Sequence, residues 1–405
     1  MEELFNLSRH FLKNKNKPYK RYFLQQNPFA HPLSLLLGAR GVGKTTVIIQ
    51  YMLSHYGPLS TKILYLPTDH FLLKGQSLYA IAEKFYNNGG ELLCFDETHK
   101  YRNWAQEIKS ITDTFTRLKV IASGSSSLEI NEGSYDLSRR AIAYRLYGLS
   151  FREYIELYHK IDLPVCSFEV IMRDHEAAAD SVIRALDAVQ LKILPLFKTY
   201  LRQGYYPYFN EYENEALFFI SLEQSMHATL ESDLMAVYPH LNGASLQKIK
   251  QLLAVLSELV PYKPDFKHLK AAVDVGDERT LKTYLRFLEN GDLIRSIRRS
   301  RGFNQLEKPE KIYLNNTNQM YALKGSACNI GTVRETFFAN ALSCLYEVTY
   351  SDVGDFEVNH CIMELGGAKK NYNQIKDRPN SFLVIDDKEI GFGNKIPLWL
   401  FGFLY

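Results

Sequence analysis

Residues 33–55 read LSLLLGARGVGKTTVIIQYMLSH, and this stretch decides the fold. The apolar run 33–37 predicts a buried strand, and the run 44–55 predicts a helix. Between them, residues 38–45 satisfy the pattern GxxxxGK[ST]. Glycines at those places let successive backbone N–H groups face phosphate oxygens at the beginning of a helix. Because both flanking elements are present, we prefer a phosphate-binding P-loop to a glycine-rich surface turn.

The side chains of this loop have the chemistry that a nucleoside triphosphate requires. Lys44 is expected to bridge the β- and γ-phosphates, and the hydroxyl of Thr45 is expected to bind Mg²⁺. The residues predicted to surround the nucleotide are Gly38, Ala39, Arg40, Gly41, Val42, Gly43, Lys44, Thr45 and Thr46. The predicted ligands are therefore ATP and Mg²⁺.

A second motif follows at the end of the predicted strand 91–96, where Asp96 is followed by Glu97. Asp96 is expected to complete the Mg²⁺ shell, and Glu97 is expected to orient and polarise the attacking water. Taken alone, such an ending is more typical of a strand that leaves the core, but the upstream loop favours the functional interpretation. A strand predicted at 62–67, between the two motifs in the sequence, favours a hydrolytic NTPase over a small-molecule kinase.

Two further groups of polar residues are candidates for the γ-phosphate. The predicted strand 118–123 leads into Ser123 and Ser125, either of which could sense that phosphate, although a plain Ser/Gly turn is an open alternative. Arg139 and Arg140 precede the predicted strand 141–147, and an arginine near the γ-phosphate accelerates hydrolysis. The alternative is that these arginines lie on the surface and pair with nearby acids, Glu132 or Asp136.

The order of predicted elements defines the fold class. Strands alternate with helices over the first 150 residues, which is typical of a parallel α/β sheet. The predicted strands are 33–37, 62–67, 91–96, 118–123 and 141–147, and the predicted helices are 44–55, 78–88 and 103–115. We therefore expect an α/β P-loop NTPase core.

Beyond this core the sequence predicts helices first and then a mixed region. Residues 246–258, 266–273 and 278–290 predict helices and 293–297 and 311–314 predict strands, which is the order of a winged helix. The last segment predicts a helix at 333–345 and strands at 347–351, 356–363, 382–386 and 396–404. The predicted domains are a basic lead-in 1–25, the ATPase domain 26–160, a helical connector 161–243, the winged helix 244–325 and a small α+β domain 326–405.

Composition excludes several classes of protein. The chain has 405 residues, of which 46% are hydrophobic and 23% charged, so it is neither disordered nor collagen-like. Its net charge of +3 gives no global argument for nucleic acid. The 5 cysteines are scattered, which favours reduced thiols and a cytoplasmic location. No apolar run reaches the 18 or more residues that would span a bilayer, so no membrane partner is predicted.

Local basic patches are the only sequence argument for DNA. Arg279, Lys282 and Arg286 lie on one face of the predicted helix 278–290, which could contact a major groove. The following hairpin adds basic residues that could contact backbone phosphates, namely Arg295, Arg298, Arg299 and Arg301. A solvated face or a contact with a protein client is the alternative.

Four segments resemble a known group of proteins. GARGVGKTT, LLCFDETHKYRNW, KVIASGSSSLEI and DLSRRAIAYRLYGLSFREYIEL resemble prokaryotic AAA-superfamily (AAA+) P-loop ATPases. The resemblance implies ATP and Mg²⁺ as ligands, a cytoplasmic location, a winged-helix region and a C-terminal restriction-endonuclease-like domain. It carries over the roles of Lys44, Thr45, Asp96 and Glu97. Members usually have Gly before the arginine, so whether Arg139 or Arg140 is the finger, and whether it acts on its own or a neighbouring subunit, stays open.

The implied nuclease site looks incomplete in this sequence. Such sites need two carboxylates for a metal ion and a nearby lysine, usually as Glu-x-Lys. Glu335, Asp355 and Glu364 supply carboxylates, but the nearest lysines, Lys369 and Lys370, lie five and six positions after Glu364. We therefore expect a scaffold or recognition domain that does not cleave DNA.

The leading hypothesis is an Mg²⁺-dependent ATPase that couples its nucleotide state to movement of the winged-helix and C-terminal domains, with DNA as a candidate partner. The first alternative is a nucleotide-gated interaction module with negligible turnover, and the second is an ATP-dependent nuclease. An oligomer and a protein client are both compatible with the sequence.

Overall fold

The computed structural model describes residues 1–26, 28–125, 137, 139–299 and 308–405. These residues divide into two compact units. The first comprises Met1–Gly148 and His227–Asn242, and the second comprises Leu149–Met226 and Gly243–Tyr405. Within the described ranges, no helix combines the length and the apolar character that crossing a membrane requires.

Helices and strands alternate in the first unit and are mostly segregated in the second. In the described ranges the helices are α1 (Glu2–Lys15), α2 (Tyr22–Gln25), α3 (Lys44–His55), α4 (Leu78–Asn87), α5 (Trp104–Thr114), α6 (Phe151–His159), α7 (Phe168–Asp187), α8 (Ile193–Thr199), α9 (Glu215–Ala228), α10 (Met235–Val237), α11 (Gly243–Leu259), α12 (Phe266–Ala272), α13 (Glu278–Asn290), α14 (Thr317–Lys324) and α15 (Ile330–Ser343). The strands are β1 (Leu33–Leu37), β2 (Ile63–Pro67), β3 (Leu92–Asp96), β4 (Lys119–Gly124), β5 (Ala141–Arg145), β6 (Ile294–Ile297), β7 (Lys311–Leu314), β8 (Thr349–Tyr350), β9 (Phe356–Val358), β10 (Cys361–Gly366), β11 (Ser381–Ile385) and β12 (Lys395–Pro397).

The first unit contains a parallel sheet in the order β2-β3-β4-β1-β5. Every residue of β1, β2 and β3 is buried, because helices cover both faces of a parallel sheet and its strands become continuous apolar runs. The α/β core that the sequence predicts is therefore confirmed. In the sheet, however, the strand between β1 and β3 is β4, whereas β2 lies between them only in the sequence.

The N-terminal helix α1 packs on this core through Leu4 and Leu12, and the Ser8 hydroxyl accepts a hydrogen bond of 2.9 Å from the backbone N–H of Tyr65. The helical lead-in is thus part of the first unit. Most of the basic run that follows is exposed, but Arg21 is only 6% exposed. Arg21 is therefore a buried member of the basic lead-in.

The chain returns to the first unit at His227, in the last turn of α9. A π-helical segment, Thr229–Leu234, continues α9 directly and leads into α10. Val237 belongs to the same apolar cluster as β1 and β3. Residues 227–242 therefore pack with the P-loop unit, although the sequence places them in a helical connector.

The second unit contains the helices and the hairpin expected between 244 and 325. Helices α11, α12 and α13 are followed by β6 and β7, which pair antiparallel, as the sequence predicts. Asp277 caps α13 by accepting a hydrogen bond of 2.8 Å from the backbone N–H of Thr280. Residue Arg301 lies outside the described residues.

The C-terminal sheet corrects two predicted strands. Its order is β12-β11-β10-β9-β8, with β8, β9 and β10 antiparallel and β10, β11 and β12 parallel. The predicted strand 356–363 is two strands, because Asn359 (φ 48°) and His360 (φ 63°) form a left-handed turn. The predicted strand 396–404 is extended only to Pro397 and continues as a buried 3₁₀ helix, Leu398–Phe403. An apolar run that is buried on all sides has no periodicity that separates strand from helix.

Candidate nucleotide-binding site

The loop 38–45 has a backbone that only glycines allow. Gly41 (φ 83°) and Gly43 (φ 99°) are left-handed, a conformation that side chains disfavour. A Cβ at Gly38 would lie 2.4 Å from the carbonyl oxygen of Leu146, which follows the neighbouring strand β5. The two glycines of the pattern, Gly38 and Gly43, and the additional Gly41 therefore each meet a steric requirement of the loop.

Lys44 begins α3 and points back into the loop. Its Nζ donates hydrogen bonds to the carbonyl oxygens of Gly38 (2.9 Å) and Ala39 (3.1 Å), and the residue is 6% exposed. The ammonium group therefore lies beside the loop, at the beginning of α3. The backbone N–H groups there favour the binding of an anion. This geometry suits the phosphate contact expected of Lys44.

Thr45 and Asp96 lie side by side at the carboxyl edge of the sheet. The Thr45 hydroxyl donates a hydrogen bond of 2.6 Å to Asp96 Oδ2. The hydroxyls of Tyr65 and Ser123 also donate to this carboxylate. Burial and the negative charge of Asp96 raise the pKa of the Tyr65 hydroxyl well above its usual value, so this group stays a donor.

The donor set at Thr45 and Asp96 fits Mg²⁺. A hydroxyl and a carboxylate are hard oxygen ligands, and Mg²⁺ in nucleotide sites is held by one or two such groups together with phosphate oxygens and water. The two residues predicted to bind the metal are therefore brought together by the fold. Their role in metal binding stays a prediction.

Glu97 follows β3 in a left-handed conformation, with φ 57° and ψ 37°. Such a conformation is uncommon for a residue with a side chain and is concentrated at functional sites. Glu97 Oε2 lies 3.5 Å from Lys100 Nζ and 3.7 Å from His99 Nε2. The carboxylate therefore faces two nitrogen groups of its own turn.

Ser123 and Ser125 lie beside the two motifs, because β4 separates β1 from β3. Ser123 pairs with Leu36 of β1 in the sheet register, and its hydroxyl contacts Asp96. The backbone N–H of Ser125 donates to His99 Nδ1 at 3.4 Å, and the residue is buried. Both predicted sensors are at the correct edge of the sheet, and the first is bound to the predicted metal ligand.

Arg139 and Arg140 lie at the amino end of strand β5, at the edge of the sheet opposite to the P-loop. The register pairs Ala141 with Leu33, at the amino end of β1, and Arg145 with Leu37, next to the loop. Roughly 20 Å of extended chain therefore separates Arg140 from the loop. Arg140 Nε donates to Asp113 Oδ1 at 2.7 Å, so it pairs with an acid of α5. The acids that the sequence suggests as partners, Glu132 and Asp136, lie outside the described residues.

Arg21 is a part of the site that sequence reasoning missed. Its guanidinium donates hydrogen bonds to the carbonyl oxygens of Val42 (3.0 Å), Tyr147 (3.0 Å) and Gly148 (2.8 Å). It therefore ties the P-loop to the chain that follows β5. The sequence carried no signal for this role, because Arg21 ends a run of ordinary surface lysines.

A second missed group connects the P-loop to residues 227–242. Arg40 Nη1 lies 3.3 Å from Asp233 Oδ1, and the same oxygen lies 3.3 Å from His99 Nε2. The sequence assigns no function to His99. It could not reveal Asp233, which is 193 positions from Arg40. Burial opposes ionisation of Asp233, but His99 and the charges of Arg40 and Lys100 hold its pKa below the usual value.

The basic residues predicted to contact DNA are partly neutralised. Arg298 pairs with Glu289 (3.0 Å), and Arg299 pairs with Glu310 and Asp352. Lys282 lies 3.0 Å from Glu278, and Arg295 donates to the side chain of Asn315, whereas Arg279 and Arg286 are exposed. These ion pairs would compete with phosphate, and DNA binding through this surface stays a prediction.

The carboxylates of the C-terminal domain lie near two lysines. Lys311 Nζ is 3.3 Å from both Glu335 Oε2 and Asp355 Oδ1. Lys370 Nζ is 2.5 Å from Glu364 Oε1, whereas Glu364 Oε2 is buried without a hydrogen-bond partner. Burial and the nearby charge of Asp355 raise the pKa of Glu364, although Lys370 opposes the shift.

Comparisons with known proteins agree with the geometry of the first unit. Residues 30–155 match a family model described as an AAA domain, and residues 194–327 match one described as a domain of unknown function. Uncharacterized protein MJ1637 of Methanocaldococcus jannaschii is 30% identical over 273 residues, which are 65% of this chain and 56% of that protein. The matched part of the chain thus spans just over half of that relative.

This chain is also similar to some solved structures. One is PCH-2 of C. elegans, with a TM-score of 0.26 and 14% identity, covering 71% of this chain and 68% of that chain. Domain III of the Thermotoga maritima replication initiation protein DnaA has a TM-score of 0.25 and 16% identity, over 55% of this chain and 91% of that chain. The family match and the sheet order agree with each other. Residues 30–155 therefore match a family model described as an AAA domain, and the first unit has the α/β P-loop NTPase fold that the sequence predicts.

Proposed function

We propose that the protein is a cytoplasmic, Mg²⁺-dependent ATPase that binds ATP on the loop 38–45 and hydrolyses it with the help of Glu97. The observation that carries the proposal is the 2.6 Å hydrogen bond between the Thr45 hydroxyl and Asp96. Two distant motifs thereby form one set of hard oxygen ligands beside Lys44. The free thiols of all five cysteines, which lie within the described residues, support the location.

Each residue has a distinct task in this proposal. Lys44 and the N–H groups of the loop bind the phosphates and stabilise the charge that develops on them in the transition state. Thr45 and Asp96 would hold Mg²⁺, which neutralises the β- and γ-phosphates when bound. Glu97 orients a water molecule for attack in line with the leaving group and accepts its proton.

The proposed coupling to the rest of the chain runs through residues 227–242. This segment belongs to the P-loop unit and contacts the loop through Asp233 and Arg40. The chain enters it from α9 and leaves it into α11. A movement of the loop on binding nucleotide would therefore shift the segment 227–242. That shift would be passed along the chain to α9 on one side and to α11 on the other.

The edge position of Arg139 and Arg140 supports an oligomer. At roughly 20 Å along the strand from the loop, neither arginine can reach the γ-phosphate of its own subunit. If one of them is the finger, it acts on the nucleotide of a neighbouring copy. The protein that hydrolyses ATP is then an assembly in which Arg139 or Arg140 completes the adjacent site.

Phosphate release and nucleotide binding test the ATPase proposal together. We expect turnover in the wild type, loss of about 100-fold or more in Glu97→Gln with ATP binding kept, and loss of binding in Lys44→Ala. ATP at a hundredfold excess over its Kd should stabilise the wild type by about 2.7 kcal/mol. Binding without turnover that depends on Glu97 would favour a nucleotide-gated interaction module, and absence of binding would contradict both.

A specific observation favours nuclease activity as a second candidate function. A Cβ at residue 366 would lie 2.5 Å from Cβ and Cγ of Lys370. The lysine that looks displaced in the sequence therefore fills the space of the third residue of Glu-x-Lys, and its Nζ contacts Glu364. The position of the lysines in the sequence is therefore not by itself an argument against nuclease activity.

The carboxylates near Lys370 could provide only a few ligands for a cation. In the part of the chain that the structure describes, no group of three or more His, Cys, Asp or Glu side chains is arranged to share one metal ion. Asp355 and Glu364 could provide two ligands, and the buried, unpartnered Glu364 Oε2 is one open ligand atom. A divalent cation bound there would activate water for phosphodiester hydrolysis.

Nicking of supercoiled plasmid in Mn²⁺ or Mg²⁺ tests this candidate. Activity should fall by about 100-fold in Glu364→Gln and in Lys370→Met, because one loses the ligand and the other the cation beside it. Lys369→Met is the matched control, since Lys369 is the exposed neighbour of Lys370. Intact plasmid with the wild type, or equal nicking by all variants, would reject nuclease activity.

A further inference from the structure

The backbone of Glu97 is restrained on both sides, so only its side chain can respond to a ligand. Its N–H lies 3.1 Å from Asp96 Oδ1 and 3.3 Å from Ser123 Oγ. Its carbonyl oxygen accepts a hydrogen bond of 2.8 Å from the hydroxyl of Thr68. The Glu97 side chain is 29% exposed. Access of this carboxylate to a water molecule is therefore decided by the groups that contact its oxygens.

His99 presents a single N–H to these oxygens. The side chain of His99 is completely buried, and its Nδ1 accepts a hydrogen bond from the backbone N–H of Ser125. An imidazole that accepts at Nδ1 carries its proton on Nε2. The donor that remains is therefore the Nε2–H group.

Two carboxylates compete for this donor. Nε2 lies 3.3 Å from Asp233 Oδ1 and 3.7 Å from Glu97 Oε2, and it makes no well-aligned hydrogen bond to either. A buried N–H without an aligned acceptor costs free energy, so the arrangement favours a small movement that commits His99 to one of them. Lys100 also lies near Glu97, but its closer partner is Asp69, at 2.9 Å.

Arg40 decides how strongly Asp233 attracts His99. In the structure Asp233 is shared between His99 and Arg40, whose Nη1 lies 3.3 Å away. Arg40 is part of the P-loop and its side chain is 43% exposed, so it can turn toward a polyphosphate. Once Arg40 binds phosphate, His99 becomes the main partner of a carboxylate that is only 4% exposed.

We propose that His99 and Asp233 are positioning residues that regulate Glu97. With the loop empty, Arg40 shares Asp233 with His99, and the Nε2–H group, 3.7 Å from Glu97 Oε2, attracts the Glu97 carboxylate and restrains it. When nucleotide draws Arg40 to its phosphates, Asp233 takes the His99 donor and Glu97 is released to orient water. This inference rests on the proposed ATPase and assigns to residues 227–242 the task of reporting loop occupancy to the hydrolytic carboxylate.

Steady-state ATP hydrolysis by two substitutions and their combination tests the proposal. Asp233→Asn is nearly isosteric and weakens the pull on His99, so Glu97 stays restrained. We expect kcat to fall by about 10-fold or more, with KM for ATP changed by less than about 3-fold. Asp233→Glu keeps the charge and should recover most of kcat. Adding His99→Leu to Asp233→Asn removes the restraining donor, and kcat should rise again.

A higher kcat in the double variant than in Asp233→Asn separates regulation from a structural role. If both substitutions only damaged the structure, their losses of kcat would add. A double variant that is slower than Asp233→Asn, or an Asp233→Asn enzyme with kcat within about 2-fold of the wild type, would overturn the proposal. If His99→Leu lowers Tm strongly, the comparison of Asp233→Asn with Asp233→Glu decides alone, and equal kcat values would overturn it. Glu97→Gln, assayed alongside, reports separately on the proposed ATPase activity.

Discussion

The hydroxyl of Thr45 donates to the carboxylate of Asp96 across 51 positions of sequence. Thr45 lies in the first turn of α3, and Asp96 ends β3, a strand that is separated from β1 by β4. The carboxyl ends of parallel strands meet at one edge, which is where open α/β sheets bind their ligands. The contact therefore ties the glycine-rich loop to the acidic motif, and both residues belong to the first unit.

Removal of the Thr45 hydroxyl should weaken binding of ATP only when Mg²⁺ is present. We expect Thr45→Ala to lower the affinity for Mg²⁺-ATP by at least about 10-fold, the size that loss of an outer-shell partner already causes. Thr45→Ser, which keeps the hydroxyl, should retain most of the affinity. Titration with a fluorescent ATP analogue, once in Mg²⁺ and once in EDTA, measures the affinity of each variant with and without the metal ion. Ser54→Ala at the other end of α3 is the control, and an equal loss in EDTA would contradict a metal role.

A methyl group at residue 38 should disturb the first unit. Its Cβ would lie 2.4 Å from the Leu146 carbonyl oxygen, so the loop and the end of β5 must move apart. We expect Gly38→Ala to lower the free energy of unfolding by about 1–3 kcal/mol and to weaken ATP binding. Gly57→Ala is the matched control, because nothing lies within 4 Å of its Cβ. Equal melting temperatures for the two variants would show that the close approach is not maintained in solution.

The edge position of the arginines predicts complementation between inactive variants. Either Arg139→Ala or Arg140→Ala should lose about 10³-fold or more in turnover if that residue is the finger. Mixing the inactive arginine variant with Glu97→Gln should restore part of the activity, because the Glu97→Gln subunit supplies its arginine to a neighbour's intact site. The measurement is phosphate release after subunit exchange.

The ion pair of Arg140 requires its own control. Asp113→Asn breaks the same pair without removing an arginine, so its activity should stay close to that of the wild type. A mixture no more active than the sum of its parts, or a protein that hydrolyses ATP as a monomer, would reject action on a neighbouring copy.

The lowered pKa of Asp233 predicts a pH dependence of stability. Aspartates of an unfolded chain titrate near pH 3.9, and Asp233 in the folded protein titrates below that value. Its charge therefore stabilises the fold above about pH 4, and this contribution is lost as the pH falls through the lowered pKa. The difference in Tm between the wild type and Asp233→Asn should be constant from about pH 5 to 7 and should shrink below about pH 4.

Asp180→Asn is the control for this pH series. Asp180 forms an exposed pair with Arg184, and such pairs contribute little to stability, so its substitution should change Tm only slightly at any pH. A Tm difference for Asp233→Asn that grows toward low pH would contradict the depressed pKa.

Several elements could be predicted from local sequence because their causes are local. The bounds of β1 and α3 agree with the predicted 33–37 and 44–55, since a continuous apolar run, a glycine pattern and a helical run all act within a few residues. The predicted strand 396–404 was wrong because Trp399 and its neighbours are buried on every side, and burial of that kind erases periodicity. In a run that is buried on all sides, only its length and its flanking residues can separate a strand from a helix.

The residues of the candidate site also fall into those that local sequence predicts and those that depend on distant segments. The chemistry of Lys44, Thr45, Asp96 and Glu97 could be predicted because each residue type belongs to a short motif with its own flanking elements. The proposed restraint on Glu97 could not be predicted, because it depends on the contact between His99 and Asp233, which lies far along the chain. Nor could the place of Lys370, whose side chain fills the space beside Gly366 because the backbone turns back there.

By itself, the sequence determined a P-loop, an acidic motif after a buried strand, and an alternation of strands and helices that specifies a parallel sheet. The tertiary structure alone decided that β4 separates the two motifs, that Arg139 and Arg140 lie at the far edge, and that Asp233 contacts the loop. The physical reason is range. Backbone propensity and glycine sterics act over a few residues, whereas shared hydrogen bonds and buried charges depend on which distant segments the sheet brings together.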